Sequence, residues 1–462
     1  MSDQAKRRFG GKRDMSNERI QSALAGATDT RAVVIEEGAL ARVADVFREN
    51  FPESRAVVVA DGTEYRVAGE EVQRVLEQGG IGTEEPYVFP AEPTLYAKYS
   101  NIELLVGSLE GHDAVPVAVG SGTLNDIAKR AAYETDRPYM NVATAASMDG
   151  YTAFGASIEK DGHKQTLTCP APRAVLADVS VLVAAPKDMT AAGYADLLGK
   201  VTSGADWLVA DALGVEPIDK EGWRLVQDGL RGWVADPEAL AAGESEAMDG
   251  LIEGLVMSGL AMQAYQSSRT ASGAEHQFSH LWEGEGLGRD RNPPLSHGFK
   301  VGVGSVAVAA LYERLLARDL ARLDVEAAVS AWPSWPEVEE RVRALHTLPE
   351  LERAAVEQSR AKYVGADALR ERLELLREVW PELSGKLRSH LLPAEELRRM
   401  LRAAGCPVTP EEIGLSRDEL QKTYRRALTI RSRYTVLDLA NETGILDECV
   451  AELFEPGGFW AR

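Results

Sequence analysis

The segment "EHQFSHLWEGEG", Glu275 to Gly286, places His276 and His280 four residues apart in a chain with seven histidines among 462 residues. On a helix, residues i and i+4 share a face, so both imidazoles can reach one ligand. His297 follows two prolines in "PPLSHGFKVGVG", at the expected start of a helix. Asp196 stands in "AAGYADLLGK", where the pattern predicts the first turns of another helix, one turn before Lys200. One carboxylate and two or three imidazoles from separate helices are the ligand types of a borderline divalent metal, and three protein ligands leave positions open for substrate oxygens. The HExxH pattern of a zincin helix is absent. The same residues can equally cap helices or make surface hydrogen bonds, and spacing alone leaves both readings open.

Two other stretches put small and polar residues where strands are expected to end. In "VAVGSGTLNDIAKR", Gly120 and Gly122 leave room for a phosphate to approach the backbone. A helix expected to begin near Thr123 or Leu124 would turn its free N–H groups and positive end toward that phosphate. The alternative is a tight turn that needs glycine for its geometry, and the stretch is not the GxGxxG fingerprint. In "NVATAASMDGYTAFGAS", Thr144 and Ser147 offer hydroxyls to a cofactor, and Asp149 is an acid beside them or a helix cap. Asp61 closes "RAVVVAD", where a carboxylate can hold ribose hydroxyls or cap the next helix.

The elements that must position these residues fall into two blocks. From Arg31 to Pro186, apolar β-branched runs alternate with amphipathic helices, which predicts an α/β domain built on a parallel sheet; "KQTLTCPAPRAVLADVSVLVAAP" reads as further strand, or as a hairpin, that finishes the domain. Residues 187–462 read as helices without strands, an all-α domain. Residues 1–30, basic and rich in Gly and Ser at the start, are expected to be a disordered tail.

Composition narrows the function classes. Hydrophobic residues at 45% and charged residues at 27% are the balance of a soluble globular protein. A net charge of −21 argues against nucleic acid and membrane surfaces as partners. An anionic substrate then needs a local site that overcomes the global field, for which Lys200 and Lys300 are candidates. Cys169, Cys406 and Cys449 form no CxxC pair, which fits a reducing cytoplasm. No apolar run reaches the ~18 residues of a membrane span. The sequence does not set the oligomeric state; a homodimer is compatible with it.

The ordered motifs GSGTLND, TAASMDGYTA, GYADLLGK, EHQFSH and SHGFKVG together resemble the sn-glycerol-1-phosphate dehydrogenases, of the iron-containing alcohol dehydrogenase and dehydroquinate synthase superfamily. The resemblance runs from about Arg31 to about Leu320 and more loosely beyond. It implies a nucleotide-binding α/β domain followed by a helical metal-binding domain, with the active site in the cleft between them. By the same resemblance, Gly122, Thr123, Leu124, Asn125 and Asp126 would lie against the pyrophosphate of NAD(P), and Thr144 and Ser147 near the nicotinamide. Asp149 would contact substrate. Asp196, His276 and His297 would hold the metal (zinc first, nickel or iron(II) as alternatives), with Asp196 also near substrate. His280 would face substrate. Ala153 departs from the family, which often carries a hydroxyl there.

The implied reaction interconverts dihydroxyacetone phosphate and sn-glycerol 1-phosphate. The metal would lower the pKa of the alcohol, and the nicotinamide would exchange hydride. Competing readings are a dehydrogenase of another polyol or polyol phosphate, a dehydroquinate synthase, for which the motif regions lack a dense set of Lys and Arg, and a catalytically silent nucleotide-binding protein.

Overall fold

The computed structural model describes residues 16–160 and 163–461. By backbone contacts the chain divides into two compact units: the first takes residues up to Leu197 and Arg224–Ser268, the second Leu198–Trp223 and Arg269 onward. The division is therefore interleaved and is not the single change at residue 186 that the pattern predicts. The helices Lys187–Leu198 and Ser245–Tyr265 fall with the sheet, apart from the terminal Leu198.

The first unit is built on six parallel strands: β1 (Ala32–Glu36), β2 (Ala56–Asp61), β3 (Tyr87–Phe89), β4 (Val115–Gly120), β5 (Met140–Ala143) and, after the antiparallel hairpin β6 (Ala156–Lys160) and β7 (His163–Leu167), β8 (Ala174–Asp178). The strand order is β1-β8-β5-β4-β2-β3, and every pairing in it is parallel. Continuous runs such as AVVVA and VPVAV are buried on both faces, as strands covered by helices on either side must be. Of the expected closing stretch, β7 pairs with the preceding β6 in a hairpin outside the sheet, β8 enters the sheet between β1 and β5, and Val179–Ala184, read as strand, is helical behind the Asp178 cap. The chain leaves β2 toward the edge strand β3 and leaves β4 toward β5. The carboxyl ends of these two neighbours therefore flank the point where strand order reverses, the place where open α/β sheets bind ligands.

The disordered tail expected over residues 1–30 is corrected for its second half. Residues 16–26 are helical, and Ile20, Ala23, Leu24 and Ala27 are buried. Their i, i+3, i+4, i+7 spacing is an apolar stripe that the basic composition around it conceals. Arg19 pairs with Glu253 at 2.6 Å. Just beyond, the Gln263 side chain accepts the Asp29 and Thr30 N–H groups at 3.0 and 3.2 Å, and the Thr30 hydroxyl donates to the Pro172 carbonyl at 2.8 Å. Residues 1–15 lie outside the described residues.

Among the described residues from 187 onward no strand occurs, as the pattern predicts. In the second unit the helices Ala274–Gly284, His297–Leu316 and Arg417–Ala427 pack through Phe278, Trp282 and Tyr424, with Phe278 edge-on to both other rings at centroid separations of 5.7 and 5.0 Å. The close approach of the first two helices needs glycine at 304: a Cβ there would lie 2.7 Å from the Glu275 carbonyl oxygen. No helix among the described residues is long and apolar enough to cross a membrane.

Candidate functional site

In the first unit the strand ends gather several of the sequence-predicted residues. Asp61 ends β2, and its Oδ1 accepts the N–H groups of Thr63 and Glu64 at 2.7 and 2.8 Å, so it caps the following turn. At the end of β4, Ser121 opens the helix Gly122–Glu134. Gly120 and Gly122 are closely overlaid: a Cβ at Gly120 would lie 2.2 Å from Glu64 Oε2, and one at Gly122 would lie 2.7 Å from Met148. Glu64 is a functional candidate that the sequence reading missed. Its Oε1 accepts the Ser121 N–H at 2.7 Å and the Thr144 hydroxyl at 3.3 Å. Burial, and then the neighbouring Asp61, push its pKa up to about 7. Leu124 and Asn125 are buried; the Asn125 side chain accepts from the Tyr139 hydroxyl at 3.0 Å, while Asp126 accepts the Ser157 N–H at 3.0 Å and Thr123 stays half-exposed.

The loop after β5 is held by a buried cation that the sequence reading also missed. Lys129 Nζ donates to the carbonyls of Gly150, Ala153 and Gly155 at 3.0, 2.8 and 3.0 Å. Ala153, the departure from the family, takes part through its backbone. Ser147 Oγ lies 3.1 Å from the Tyr151 hydroxyl. The Asp149 carboxylate accepts from Ser258 at 2.9 Å, and its N–H donates to Asp196 Oδ2 at 3.1 Å. Asp196 is fully buried. It lies in the last turn of Lys187–Leu198, not in the first turns of a helix, because the helix ends before Gly199 and Lys200 begins the next. The approach of this helix to the loop depends on Gly193, where a Cβ would sit 1.9 Å from the Ala146 carbonyl oxygen.

In the second unit three imidazoles converge. The ring centroids of His276 and His280 are 5.9 Å apart, those of His276 and His297 5.3 Å, and those of His280 and His297 5.7 Å. His276 and His280 share one face of Ala274–Gly284, and His297 starts the next helix after the Ser296 cap. Two carboxylates orient the rings. Glu275 Oε1 lies 2.8 Å from His276 Nδ1, and Glu283 Oε1 lies 2.9 Å from His297 Nδ1. Glu283 Oε2 is 3.4 Å from His280 Nδ1. Each contact engages Nδ1 and leaves Nε2 as the ring's outward atom, the usual arrangement behind a metal-binding imidazole. Burial alone would raise the pKa of the fully buried Glu275, but the hydrogen bond and charge of His276 hold it below its ordinary value. Burial drives His280 down to about 3, against the opposing pull of Glu283 and with help from the positive charge of Arg431. Its ring, still 31% exposed, is a neutral hydrogen-bonding group at neutral pH.

Neither lysine expected to meet a substrate anion stands open to solvent. Lys200 is fully buried, and Lys300 donates to the Leu295 carbonyl at 2.9 Å and lies 3.8 Å from Glu283. Arg431 is placed differently. The segment around it is pinned along the histidine helix: Arg426 pairs with Glu285 at one end, and at the other the Arg433 carbonyl accepts from Gln277 at 3.2 Å. Arg431 lies between these anchors, exposed, near enough for its charge to act on Glu283 and His280.

The chain is similar to several known proteins. A model of the iron-containing alcohol dehydrogenases matches residues 34–186. A glycerol-1-phosphate dehydrogenase (NAD(P)+) of Bacillus subtilis is 33% identical over 393 residues, 84% of this chain and 86% of the relative. The chain belongs to the glycerol-1-phosphate dehydrogenase family. Its archaeal members include a Methanosarcina mazei enzyme of the same name, 31% identical over 283 residues, 61% of this chain and 76% of the relative. In fold, the chain resembles a probable glycerol dehydrogenase from Sinorhizobium meliloti, with a TM-score of 0.58 and 17% identity over 92% of this chain and 99% of that one. An NADH-dependent butanol dehydrogenase from Thermotoga maritima gives a TM-score of 0.58 at 14% identity, covering 92% and 97%.

Proposed function

We propose that this protein interconverts dihydroxyacetone phosphate and sn-glycerol 1-phosphate, using NAD(P)H and one divalent metal ion. The observation that carries the metal is the donor set. His276 and His297 bring their rings to a centroid separation of 5.3 Å, each held through Nδ1 by a carboxylate, and the buried Asp196 is the carboxylate assigned to the same ion. One carboxylate and two imidazoles suit zinc first, with nickel or iron(II) as alternatives, and leave positions for substrate oxygens. For the nucleotide, support comes from the glycine cradle at Gly120 and Gly122, which any side chain would fill, at the reversal of strand order. Thr123, Thr144 and Ser147 line the same strand ends, and Asp61 is the candidate for the ribose.

When bound, the ion supplies Lewis acidity to the substrate oxygen and the nicotinamide supplies hydride. The chain's own residues do the rest. Glu275 and Glu283 fix the tautomers of His276 and His297. Neutral His280 offers a hydrogen bond to a substrate hydroxyl or phosphate oxygen. Asp149, held by Ser258, faces substrate beside Asp196. Arg431, with no ion pair of its own among the described residues, is the guanidinium for the substrate phosphate in a chain of net charge −21.

The test is NADH absorbance at 340 nm with dihydroxyacetone phosphate, before and after removal of metal by a chelator. Metal-dependent NADH consumption is expected, with circular dichroism unchanged by the chelator. Full activity in metal-free protein would defeat the metal assignment. NADH consumption with dihydroxyacetone but not with its phosphate would make the protein a dehydrogenase of another polyol, and none with either would leave a silent nucleotide-binding protein.

A further inference from the structure

Glu64 is an acid placed where a nucleotide phosphate has to go. It follows β2 directly and reaches across to the end of β4, the two strand ends that flank the reversal of order. Its Oε1 already holds the Ser121 N–H, the donor at the mouth of the helix Gly122–Glu134, at 2.7 Å. Its Oε2 is buried with no hydrogen-bond partner. That oxygen also fills the space above Gly120, the room that the missing Cβ leaves. A buried carboxyl oxygen without a partner is costly and calls for an explanation.

A phosphate on this turn would compete with Glu64 for the Ser121 N–H and would meet a second negative charge at contact distance. A protonated carboxyl removes the repulsion and can donate a hydrogen bond to the phosphate. We propose that Glu64 is the proton-coupled occupant of the nucleotide phosphate site: cofactor binds to the protein with Glu64 protonated, and the phosphate takes over the Ser121 N–H. The proton comes from solvent and goes to a Glu64 carboxylate oxygen; no other bond changes. This rests on reading Gly120–Gly122 as the nucleotide cradle.

The groups that face Glu64 agree with this direction. Asp61, on its own turn, adds negative charge. Tyr151, from the loop after β5, is neutral, its hydroxyl raised by burial. Ser121 and Thr144 carry no charge. With its pKa near 7, Glu64 is poised to take up the proton in the neutral range.

The experiment is calorimetry of NADH binding at pH 8 in buffers of different protonation enthalpy, on the wild type and on Glu64→Gln. Fluorescence of bound NADH gives Kd from pH 6 to 9. The wild type is expected to take up about one proton per NADH, and its Kd to rise about tenfold per pH unit above pH 7. Glu64→Gln, always neutral, should take up none and bind with a flat pH profile. Proton uptake by the variant equal to that of the wild type would overturn the proposal, as would its absence in the wild type. Failure of the wild type to bind NADH at all would instead overturn the reading of the cradle.

Discussion

The imidazole of His276 is held through Nδ1 by Glu275 Oε1 at 2.8 Å, and Glu275 is wholly buried in the first turn of the same helix. The preceding acid, and not the helix alone, fixes which nitrogen points outward. Glu275→Gln should therefore weaken metal binding by roughly 10- to 100-fold, as loss of an outer-shell partner does. His276→Ala should purify largely without metal. His280→Ala should keep metal and NADH, and lose kcat/KM for dihydroxyacetone phosphate by ~1.5–3 kcal/mol if its bond is to a charged oxygen. Elemental analysis of the three purified variants checks this. A metal-free His280→Ala beside a metal-replete His276→Ala would reverse the two assignments.

Arg431 carries a separate expectation. Arg431→Ala should lower kcat/KM for dihydroxyacetone phosphate by about 1.5–3 kcal/mol, the scale of a hydrogen bond to a charged group. It should leave turnover of unphosphorylated dihydroxyacetone and the Kd of NADH unchanged. Equal losses on both substrates would show that Arg431 shapes the histidine helix and does not meet the phosphate.

Asp61 can be tested apart from its capping. Asp61→Asn retains a capping oxygen but loses charge. If the wild-type carboxylate repels the 2′-phosphate of NADPH by on the order of a kcal/mol or more, the variant's ratio of kcat/KM for NADPH over NADH should rise. A wild type that already prefers NADPH tenfold would remove this role.

Glu442 makes stability depend on pH. It is buried between Arg372 and the Tyr434 hydroxyl, which donates to it at 2.6 Å. Burial raises its pKa to about 7, with Arg372 pulling the other way. A carboxyl whose folded pKa is raised binds more protons folded than unfolded between about pH 4.5 and 7. Its contribution is therefore complete at the acid end of that window and lost as pH rises through it, on the order of 3 kcal/mol at full extent. Scanning calorimetry should show a steeper decline in Tm from pH 5 to 8 for the wild type than for Glu442→Gln. Parallel declines would exclude Glu442 as the source.

What the sequence disclosed follows the range of each interaction. Strand ends were readable because β-branched runs stop at Asp61 and Gly120, and the histidines because i, i+4 spacing is local. Asp196 falls at the opposite end of its helix from the one the sequence predicts, because the break at Gly199 looks, in sequence, like one small residue among several. Glu283 lies three residues past His280, and its spacing within EHQFSHLWE could have marked it. Arg431 and Glu64 carry no local signal. One comes from a segment more than a hundred residues downstream of the histidine helix, and the other is buried only because β2 and β4 are neighbours in the sheet.

The helix over residues 16–26 bears on how the protein can be handled. Anyone seeking a minimal enzyme would be drawn to start the chain at Arg31, where the family likeness begins. Such a trimmed protein would uncover the faces that Ile20, Ala23 and Leu24 cover and leave Glu253, now 6% exposed, without Arg19. It would also strip Gln263 of the Asp29 and Thr30 amides that it holds. Poor yield and aggregation of that shortened chain would then report a lost lining, not a faulty active site.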